Sequence, residues 1–366
     1  MTELPGAAPL VSVIVPCYNV EAWVERSVRS LLAGDYCNTE VVCVDDGSTD
    51  STPALLDSLA RADGRVHVSH QANRGVSAAR NVGLGHASGE YVAFLDPDDL
   101  ALPNFVSASL RAMLLFDADF CVAGYERIEG GDEPSVRVVL PKEDYNCSSN
   151  GDIMVTFFRR LLGRSVSDLE QWTGGVASLG AEAEEGMVWR CMYRRSLIEK
   201  SGVRFDERIS LNEDSCFTLS YLVHARRMVS VCEPIYRYYL RPQGALSRQL
   251  SSGELLRNKA ELKRFRDSLA DSLLARDGVD IVPLYAGSTV LSLIQMLAHI
   301  AAHPSAVGWE AARSYFDDPK TRRAISLVRF NSNAKLDACL LFLKTGQLRS
   351  LYLLMRVASR VGMRFV

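Results

Sequence analysis

Three aspartates lie within one four-residue segment, Asp96-Pro97-Asp98-Asp99, which directly follows an apolar run. Two carboxylates that are one residue apart can together hold a hard divalent cation, and such a cation can bridge the phosphates of a diphosphate. The same aspartates are also typical of a polar turn, or of a cap on the helix that the sequence predicts from Pro103. Taken alone, the segment leaves a metal site and a helix cap equally open.

A second acidic pair, Asp45-Asp46, follows another apolar run and precedes Gly47, as a tight turn would. Two acidic strand ends in one sheet would form an anionic crevice. Such a crevice costs stability unless a cation or a hydrogen-bonded ligand occupies it. Arg74 and Arg80 lie in sequence between the two acidic segments. They would either neutralise the crevice or contact its ligand.

Strand and helix patterns alternate through the first third of the chain. Short apolar runs predict five strands: Val11–Val15, Glu40–Val44, Val66–Val68, Glu90–Leu95 and Ala118–Gly124. Strands that alternate with crossover helices predict an α/β fold with a doubly wound, mostly parallel sheet. Both acidic segments follow carboxyl ends of strands, which is where such sheets bind ligands.

The rest of the chain changes character twice. The pattern weakens from about Tyr125 to Gly186, and the glycine- and glutamate-rich segment Gly174–Gly186 predicts a loop. Two further strands are predicted at Met228–Cys232 and Ile235–Leu240. After Ser251 the pattern is almost entirely helical.

Four segments resemble, in order and with similar gaps, the motifs of the family-2 glycosyltransferases of the GT-A fold. They are Val11–Asn19, Val44–Asp50, Asn73–Asn81 and Phe94–Asp99. Each motif is degenerate by itself, but four in the expected order are specific. The resemblance extends over residues 10–125 and resumes over residues 187–248.

This resemblance implies a GT-A fold and a particular division of the chain. We expect a catalytic domain at residues 1–250, with a nucleotide-sugar half at 1–125, an acceptor half at 126–250, and a helical C-terminal region at 251–366. The implied activity is an inverting transfer of a sugar from a UDP-sugar to a hydroxyl of a saccharide or of a polyprenyl-linked acceptor. Surface polysaccharide or exopolysaccharide synthesis is the implied setting, and the donor sugar, acceptor and linkage stay open.

Five positions would bind the nucleotide sugar if the family roles are carried over residue by residue. Asp46 would contact the uracil ring, and Pro16 and Tyr18 would line the base pocket. Arg80 would help to hold the base end, and Asp96 would lie near the ribose.

Three further positions would carry the reaction. The resemblance makes Asp98 the ligand of Mn²⁺ or Mg²⁺, and makes Arg241 the pyrophosphate contact, since a guanidinium fork matches phosphate oxygens. Leu211–Asp214 resembles a Glu-Asp motif of the family, which makes Asp214 the general base. A carboxylate is a competent base here only if burial or the neighbouring Glu213 raises its pKa. An acidic helix N-terminus would have the same sequence.

Other classes of protein share parts of this pattern. Leu95–Asp98 also matches the nucleophile and acid pair of haloacid-dehalogenase phosphotransferases, where the motif usually follows the first strand and not the fourth. A nicotinamide-dependent enzyme would need glycines in the first turn, Pro16–Asn19. A non-catalytic homologue that binds a nucleotide sugar stays open, because Cys191 stands where lysine is frequent in the family.

Composition bears on location and partners. The net charge of -3 gives no reason to expect nucleic acid as a partner. Nine scattered cysteines without a C-x-x-C pair argue against a disulfide framework or structural zinc and fit a reducing cytosol. The N-terminal residues do not resemble a signal peptide, and no uninterrupted apolar run is long enough to span a bilayer. We therefore expect a cytoplasmic protein or one at the inner face of the plasma membrane.

The C-terminal segment is basic. From Lys320 onward, Asp337 is the one acidic residue, while apolar runs at Leu340–Leu343 and Leu348–Val357 separate the cations. This pattern is typical of an amphipathic helix on an anionic membrane surface. It is equally typical of a helix that packs on the catalytic domain and leaves its basic face in water. A homodimer contact through these helices is a further alternative.

Overall fold

The computed structural model describes residues 8–130, 135–141, 144–170, 187–241, 252–330 and 334–360. The chain divides into two compact units. Unit 1 comprises Met1–Phe158 and Glu185–Arg248, and unit 2 comprises Arg159–Glu184 and Gln249–Val366. The predicted loop Gly174–Gly186 lies outside the described residues.

Unit 1 is built on one sheet. Its strands are β1 (Val11–Cys17), β2 (Thr39–Asp45), β3 (Val66–His70), β4 (Tyr91–Phe94), β5 (Leu100–Ala101), β6 (Phe120–Glu129), β7 (Ser135–Val139), β8 (Asn146–Cys147), β9 (Cys191–Arg194) and β10 (Met228–Tyr239). Its described helices are α1 (Val24–Leu32), α2 (Thr52–Ala62), α3 (Val76–His86), α4 (Ser107–Leu115), α5 (Asn150–Ile153), which continues as a π-helix (Met154–Phe158), and, further along the chain, α8 (Arg195–Ser201) and α9 (Glu213–Leu222).

The strand order is β3-β2-β1-β4-β9-β6-β10-β5, with β7 beside β6 and β8 beside β10. Strands β3, β2, β1 and β4 are mutually parallel, and β6 is parallel to β10. The predicted doubly wound, mostly parallel sheet is confirmed. Four strands differ: β5 and β8 pair antiparallel with β10, β7 pairs antiparallel with β6, and β9 runs antiparallel between β4 and β6. Strand β9 has four residues and directly follows a short 3₁₀ turn, Val188–Arg190.

The central strands are buried on both faces. Every residue of β1 and β2 is buried, which is typical of parallel strands that are covered by helices on each side. Gly83 allows α3 to approach β1 closely, since a Cβ there would lie 2.4 Å from Ile14 Cγ2. Parallel pairing places the ends of β1, β2 and β4 side by side. The acidic segments follow two of these strands, β2 and β4.

Two elements of unit 1 differ from their predicted bounds. The predicted strands Met228–Cys232 and Ile235–Leu240 form a single strand, β10, whose register shifts on both sides of Pro234. Proline lacks the N–H that a ladder requires, so the sequence pattern breaks although the strand continues. The helix predicted from Pro103 begins at Ser107.

Unit 2 is helical. It contains α6 (Arg159–Leu161), α7 (Val166–Glu170), α10 (Ser252–Asp277), α11 (Val282–Ala302), α12 (Ala306–Asp317), α13 (Pro319–Leu327), α14 (Ala334–Lys344) and α15 (Leu348–Arg360). Residues 159–170 were expected in the acceptor half, but in the structure they belong to unit 2 with the C-terminal helices. The reason is packing: Leu169 joins the core formed around α11, and the Arg164 backbone N–H donates to Ser288 Oγ at 2.7 Å.

Helix α11 is the centre of unit 2. It is 21 residues long, and by length and composition alone it is apolar enough to cross a membrane. Two thirds (67%) of its most apolar window is buried inside the structure, as in the core helix of a globular domain. It is the one such helix among the residues that the structure describes.

Candidate active site

The acidic turn Asp96-Pro97-Asp98-Asp99 is fixed to β10 by its last residue. Asp99 is almost fully buried; its carboxylate accepts hydrogen bonds from the Tyr236 hydroxyl (2.9 Å) and from the Tyr239 backbone N–H (2.9 Å). The Tyr236 hydroxyl also accepts a hydrogen bond from the Asp96 backbone N–H (3.2 Å). Burial, together with Asp98 and Asp96, raises the pKa of Asp99 well above its ordinary value. No role for Asp99 was predicted from the sequence, and its contacts in the structure anchor this turn to β10.

Asp98 lies beside Arg241. The Arg241 guanidinium donates to both the carboxylate and the backbone carbonyl of Asp98, and it lies over the rings of Trp23 (5.0 Å) and Tyr239 (5.4 Å). The Asp98 side chain is 36% exposed. Its pKa is raised by burial and by the charge of Asp96, which together outweigh the opposing effect of Arg241. The predicted metal ligand and the predicted pyrophosphate contact are therefore direct neighbours.

Arg80 is buried and contacts three carboxylates. We call these four residues, Arg80, Asp96, Glu213 and Asp214, the Arg80 cluster. Its Nη1 donates to Asp214 Oδ1 at 2.5 Å and to Glu213 Oε1 at 3.0 Å. Its Nη2 donates to Asp96 Oδ1 at 3.1 Å, and the guanidinium lies over the Phe205 ring. The buried Nε has no hydrogen-bond partner in the described part of the chain. Arg80 thus joins the acidic turn after β4 to the start of α9.

Asp214 is at the first turn of α9. Its second carboxylate oxygen, Oδ2, faces the Val188 backbone N–H at 3.4 Å. Burial raises the pKa of Asp214 well above its ordinary value; Arg80 opposes this effect, and Glu213 and Asp96 reinforce it. The direction is expected, because one guanidinium is shared among three carboxylates in a buried place. A raised pKa is what a carboxylate base at this position would need, and the role of Asp214 as the base stays a prediction.

The Asp45-Asp46 turn holds the loop that precedes α3. Asp46 is buried, and its carboxylate accepts hydrogen bonds from Gln71 Nε2 (2.6 Å) and from the backbone N–H groups of Arg74 (2.9 Å) and Gly75 (2.7 Å). Gly47 makes the approach possible: its φ is +73°, and a Cβ there would lie 2.7 Å from the Asn73 backbone nitrogen.

His70, which the sequence analysis missed, completes this turn. The Asp45 carboxylate contacts His70 Nδ1 at 2.9 Å and accepts from the Ser48 backbone N–H at 3.0 Å, while His70 Nε2 contacts Asp57 at 3.2 Å. The hydrogen bond to Asp45 raises the pKa of His70. Burial alone would raise the pKa of Asp45, but the hydrogen bonds from His70 and Ser48 lower it. A lone histidine at a strand end gives no sequence pattern by which it could have been found.

Pro16 and Tyr18 lie at the end of β1, next to Asp46. Pro16 is inside the strand and pairs in register with Val44, and the Asp46 backbone N–H donates to the Cys17 carbonyl at 2.8 Å. The Tyr18 side chain follows the strand and is 48% exposed. An exposed aromatic ring beside a strand end is suited to stack on a nucleobase.

The structure therefore brings the predicted site residues together in two groups. The first group is Asp96, Arg80 and Asp214, which are linked by direct contacts. Asp98 belongs to the same acidic turn as Asp96 and contacts Arg241. Pro16, Tyr18 and Asp46 lie at the ends of β1 and β2. Arg80 was expected at the base end, but its described hydrogen bonds go to the first group and not to Asp46.

The acidic turn could hold a divalent cation if substrate phosphates and water complete its coordination. No group of three or more His, Cys, Asp or Glu side chains that could enclose a metal ion occurs among the described residues. A cation such as Mg²⁺ or Mn²⁺ needs fewer protein ligands when phosphates and water supply the rest. The partly exposed carboxylate of Asp98, with Asp96 two residues away, fits that requirement.

Comparison with known proteins agrees with this geometry. The crystal structure of residues 1–349 of TarS from S. aureus, in complex with UDP-GlcNAc, superposes with a TM-score of 0.63 over 96% of this chain and 92% of TarS 1–349, at 20% sequence identity. The chain therefore has the fold of a GT-A glycosyltransferase, as the motifs predicted.

The sequence comparisons find similarity to one family over part of the chain. Residues 12–166 match the family "Glycosyl transferase family 2". The uncharacterised glycosyltransferase EpsJ of Bacillus subtilis is 32% identical over 234 residues, which is 64% of this chain and 62% of EpsJ. The glycosyltransferase GlyA of Streptococcus pneumoniae is 29% identical over 65% of this chain and 31% of GlyA. Residues 12–166 of the chain are thus similar to the family-2 glycosyltransferases, and the chain spans about three fifths of EpsJ and about a third of GlyA.

Proposed function

We propose that this protein is an inverting glycosyltransferase that moves a sugar from a UDP-sugar to a hydroxyl group of a saccharide or lipid-linked acceptor. The observation that carries the proposal is the Arg80 cluster, in which the proposed base Asp214 and the acidic-turn residue Asp96 share one guanidinium. A base and a diphosphate site at one strand edge are what a single displacement at the anomeric carbon requires.

The comparisons support the substrate class. TarS, whose structure was solved with UDP-GlcNAc, shares the fold over nearly all of this chain, which favours a UDP-sugar as the donor. EpsJ and GlyA are glycosyltransferases by name. We propose surface or exopolysaccharide synthesis as the setting. All nine cysteines are free, and two of them are exposed, which favours the reducing cytoplasm or the inner face of the plasma membrane as the place of action.

Donor binding is assigned to both groups of residues. The exposed Tyr18 ring and the turn at Asp46 would receive the base, and Asp96 would contact the ribose. Arg241 has a planar fork that matches phosphate oxygens, and its side chain is partly exposed (19%), so it can reach the diphosphate. A Mn²⁺ or Mg²⁺ ion bound by Asp98 would supply Lewis-acid stabilisation of the charge that develops on the departing diphosphate.

Asp214 is the proposed general base. Its carboxylate takes the proton from the acceptor hydroxyl while that oxygen forms a bond to the anomeric carbon. The bond from this carbon to the UDP oxygen breaks on the opposite face, which inverts the configuration. Arg80 is a positioning residue that holds Oδ1 of Asp214. The other oxygen, Oδ2, accepts one long hydrogen bond from the Val188 backbone N–H (3.4 Å) and has a second lone pair for the acceptor proton.

The test combines donor binding with turnover. Thermal shift over a panel of UDP-sugars with Mn²⁺ identifies the donor, because a bound ligand stabilises the folded state by mass action. Asp214→Asn is expected to keep donor binding and to lose about 10²- to 10⁴-fold in turnover, the range for a lost general base. Asp277→Asn, which changes an exposed carboxylate of α10, is the matched control and should change neither.

The alternative of a non-catalytic binding homologue rested on Cys191. In the structure this residue is a buried core residue of β9, and its thiol donates to the Met187 carbonyl at 3.4 Å. Burial raises its pKa, so the thiol stays neutral and acts through packing. Tight UDP-sugar binding without turnover on any acceptor would favour the alternative, whereas turnover that Asp214→Asn abolishes would exclude it.

A further inference from the structure

Helix α15 (Leu348–Arg360) packs on unit 2 through one face only. Leu348, Leu351, Met355 and Ala358 are buried and recur at helical spacing. This face joins the core around α11, which includes Leu297 and Ile300. The packed-helix interpretation of the C-terminal segment therefore accounts for half of this helix.

The opposite face of α15 is exposed and apolar. Leu353 is 51% exposed, Leu354 is 43% exposed and Val357 is 62% exposed. With about 100° between successive residues, Leu353 and Val357 lie on the side away from the buried face, and Leu354 lies between them and the edge of that face. We call these three residues the α15 apolar stripe. An exposed cluster of this kind marks a contact surface more often than a single exposed leucine does.

A row of cations borders the stripe on one side. Arg349, Arg356 and Arg360 follow each other at intervals of seven and four residues, so they line one edge of the helix. No ion pair occupies these three guanidinium groups within the described residues. Asp337 is the one acidic residue between residues 334 and 360. The arginine row thus has no counter-charge on its own helix, and Asp337 is the one acidic residue of the α14–α15 hairpin.

We propose that the exposed face of α15 binds the surface of a bilayer that contains anionic lipids. The apolar stripe would enter the boundary between headgroups and acyl chains, and the arginine row would lie among the phosphates, since long basic side chains reach the headgroup level from a buried stem. The helix has 13 residues, or about 20 Å, and it lies in the interface without crossing the bilayer.

Charge complementarity selects this occupant over a second copy of the chain. A two-fold contact places the same patch on both sides, and with antiparallel α15 helices it would set the two arginine rows side by side. Like charges that approach without acids between them destabilise such a contact. An anionic bilayer pairs the arginines and buries the leucines at the same time.

Flotation of the full-length protein with vesicles tests the inference. Phosphatidylcholine vesicles with and without phosphatidylglycerol are compared, in the absence of donor and acceptor, so the result is independent of the proposed activity. The wild-type protein is expected to float with the anionic vesicles and to be released by high salt. Replacing Arg349, Arg356 and Arg360 with glutamine should lower the partition coefficient on the order of 100-fold.

The apolar stripe is tested separately. Leu353→Ser with Val357→Ser should lower the partition coefficient at least tenfold, because each removes apolar area that would enter the bilayer. Val307→Ser, which changes a valine that is 78% exposed on α12, is the matched control and should leave vesicle binding unchanged. Thermal unfolding of each variant confirms that the fold is kept.

Two results would overturn the inference. One is equal binding of the wild-type and arginine variants to anionic vesicles. The other is a wild-type dimer in sedimentation velocity that dissociates in the Leu353→Ser, Val357→Ser variant, since the face would then be an interface between copies.

Discussion

Replacing Arg80 with glutamine removes the cation that three carboxylates share. The side chain is buried, at 4% exposure, and Asp214 and Glu213 are largely buried as well (9% and 14% side-chain exposure). Deleting one partner of a buried charge pair costs about 3–5 kcal/mol, because the other charge is left unpaired. We expect the free energy of unfolding to fall by about that amount. Arg29→Gln is the control: it breaks an exposed pair with Glu25 and should cost less than about 1 kcal/mol.

The dependence of this loss on pH identifies its cause. The pKa of Asp214 is already raised, and the attraction of Arg80 holds it down, so removing Arg80 raises it further. A group whose folded pKa is raised contributes stability that is full below its unfolded pKa and is lost as pH rises through the folded value. The loss caused by Arg80→Gln should therefore be smaller in acid, where Asp214 is protonated, and larger at neutral pH.

Urea denaturation, followed by tryptophan fluorescence between about pH 5 and pH 8, measures this difference. A second variant, Arg80→Lys, keeps the charge without the planar fork and should be less destabilised than the glutamine variant. In the Arg80→Lys variant the acid limb of the pH–rate profile, which the pKa of Asp214 would set, should move to higher pH. A loss below about 1 kcal/mol, or one that is the same at every pH, would refute the role given to the Arg80 cluster.

Three other predictions concern the turns. Tyr236→Phe removes the hydroxyl that donates to Asp99 and should lower the free energy of unfolding by about 1–3 kcal/mol in urea denaturation; no change would show that the turn is held otherwise. Asp98→Asn should abolish the extra thermal stabilisation that Mn²⁺ adds to UDP-sugar binding, and an unchanged shift would exclude Asp98 as the metal ligand. His70→Gln should destabilise the protein most below the ordinary histidine pKa of about 6.5. Asp45 raises the pKa of His70 in the folded state, so the stability that protonated His70 contributes is lost as pH rises through that folded value. A difference in unfolding free energy between wild type and variant that is constant with pH would contradict this.

The sequence predicted the sheet and the position of the acidic turns because both depend on local pattern. Buried parallel strands such as β1 and β2 are continuous apolar runs, and the turns that follow them carry aspartate and glycine. Strand β9 was not predicted, since four residues between a short turn and a helix give too little pattern to set a direction. The break at Pro234 hid the continuity of β10 for a similar local reason.

The contacts of the site could not be predicted in the same way. Arg80 and Asp214 are 134 residues apart, and Tyr236 and Asp99 are 137 apart, so only the assembled sheet brings them together. The sequence of α9 is that of an ordinary acidic helix N-terminus, and nothing in it indicates a guanidinium from α3. The family resemblance indicated that Asp214 matters, but it gave Arg80 a different neighbour.

Charge balance explains why the two arginines of the site differ. Five carboxyl groups lie on the acidic turn and at the start of α9 (Asp96, Asp98, Asp99, Glu213 and Asp214), and Arg80 and Arg241 contact them. Arg80 is buried and bonds both elements, so releasing it would leave carboxylates without a partner in a low-dielectric place. Arg241 is more exposed, and its partner Asp98 is 36% exposed. A divalent cation on Asp98 would replace the charge that Arg241 supplies there and free its guanidinium for the diphosphate. The buried Arg80 therefore suits a fixed positioning role. The partly exposed Arg241 suits a role in which its guanidinium changes partner from Asp98 to the substrate diphosphate.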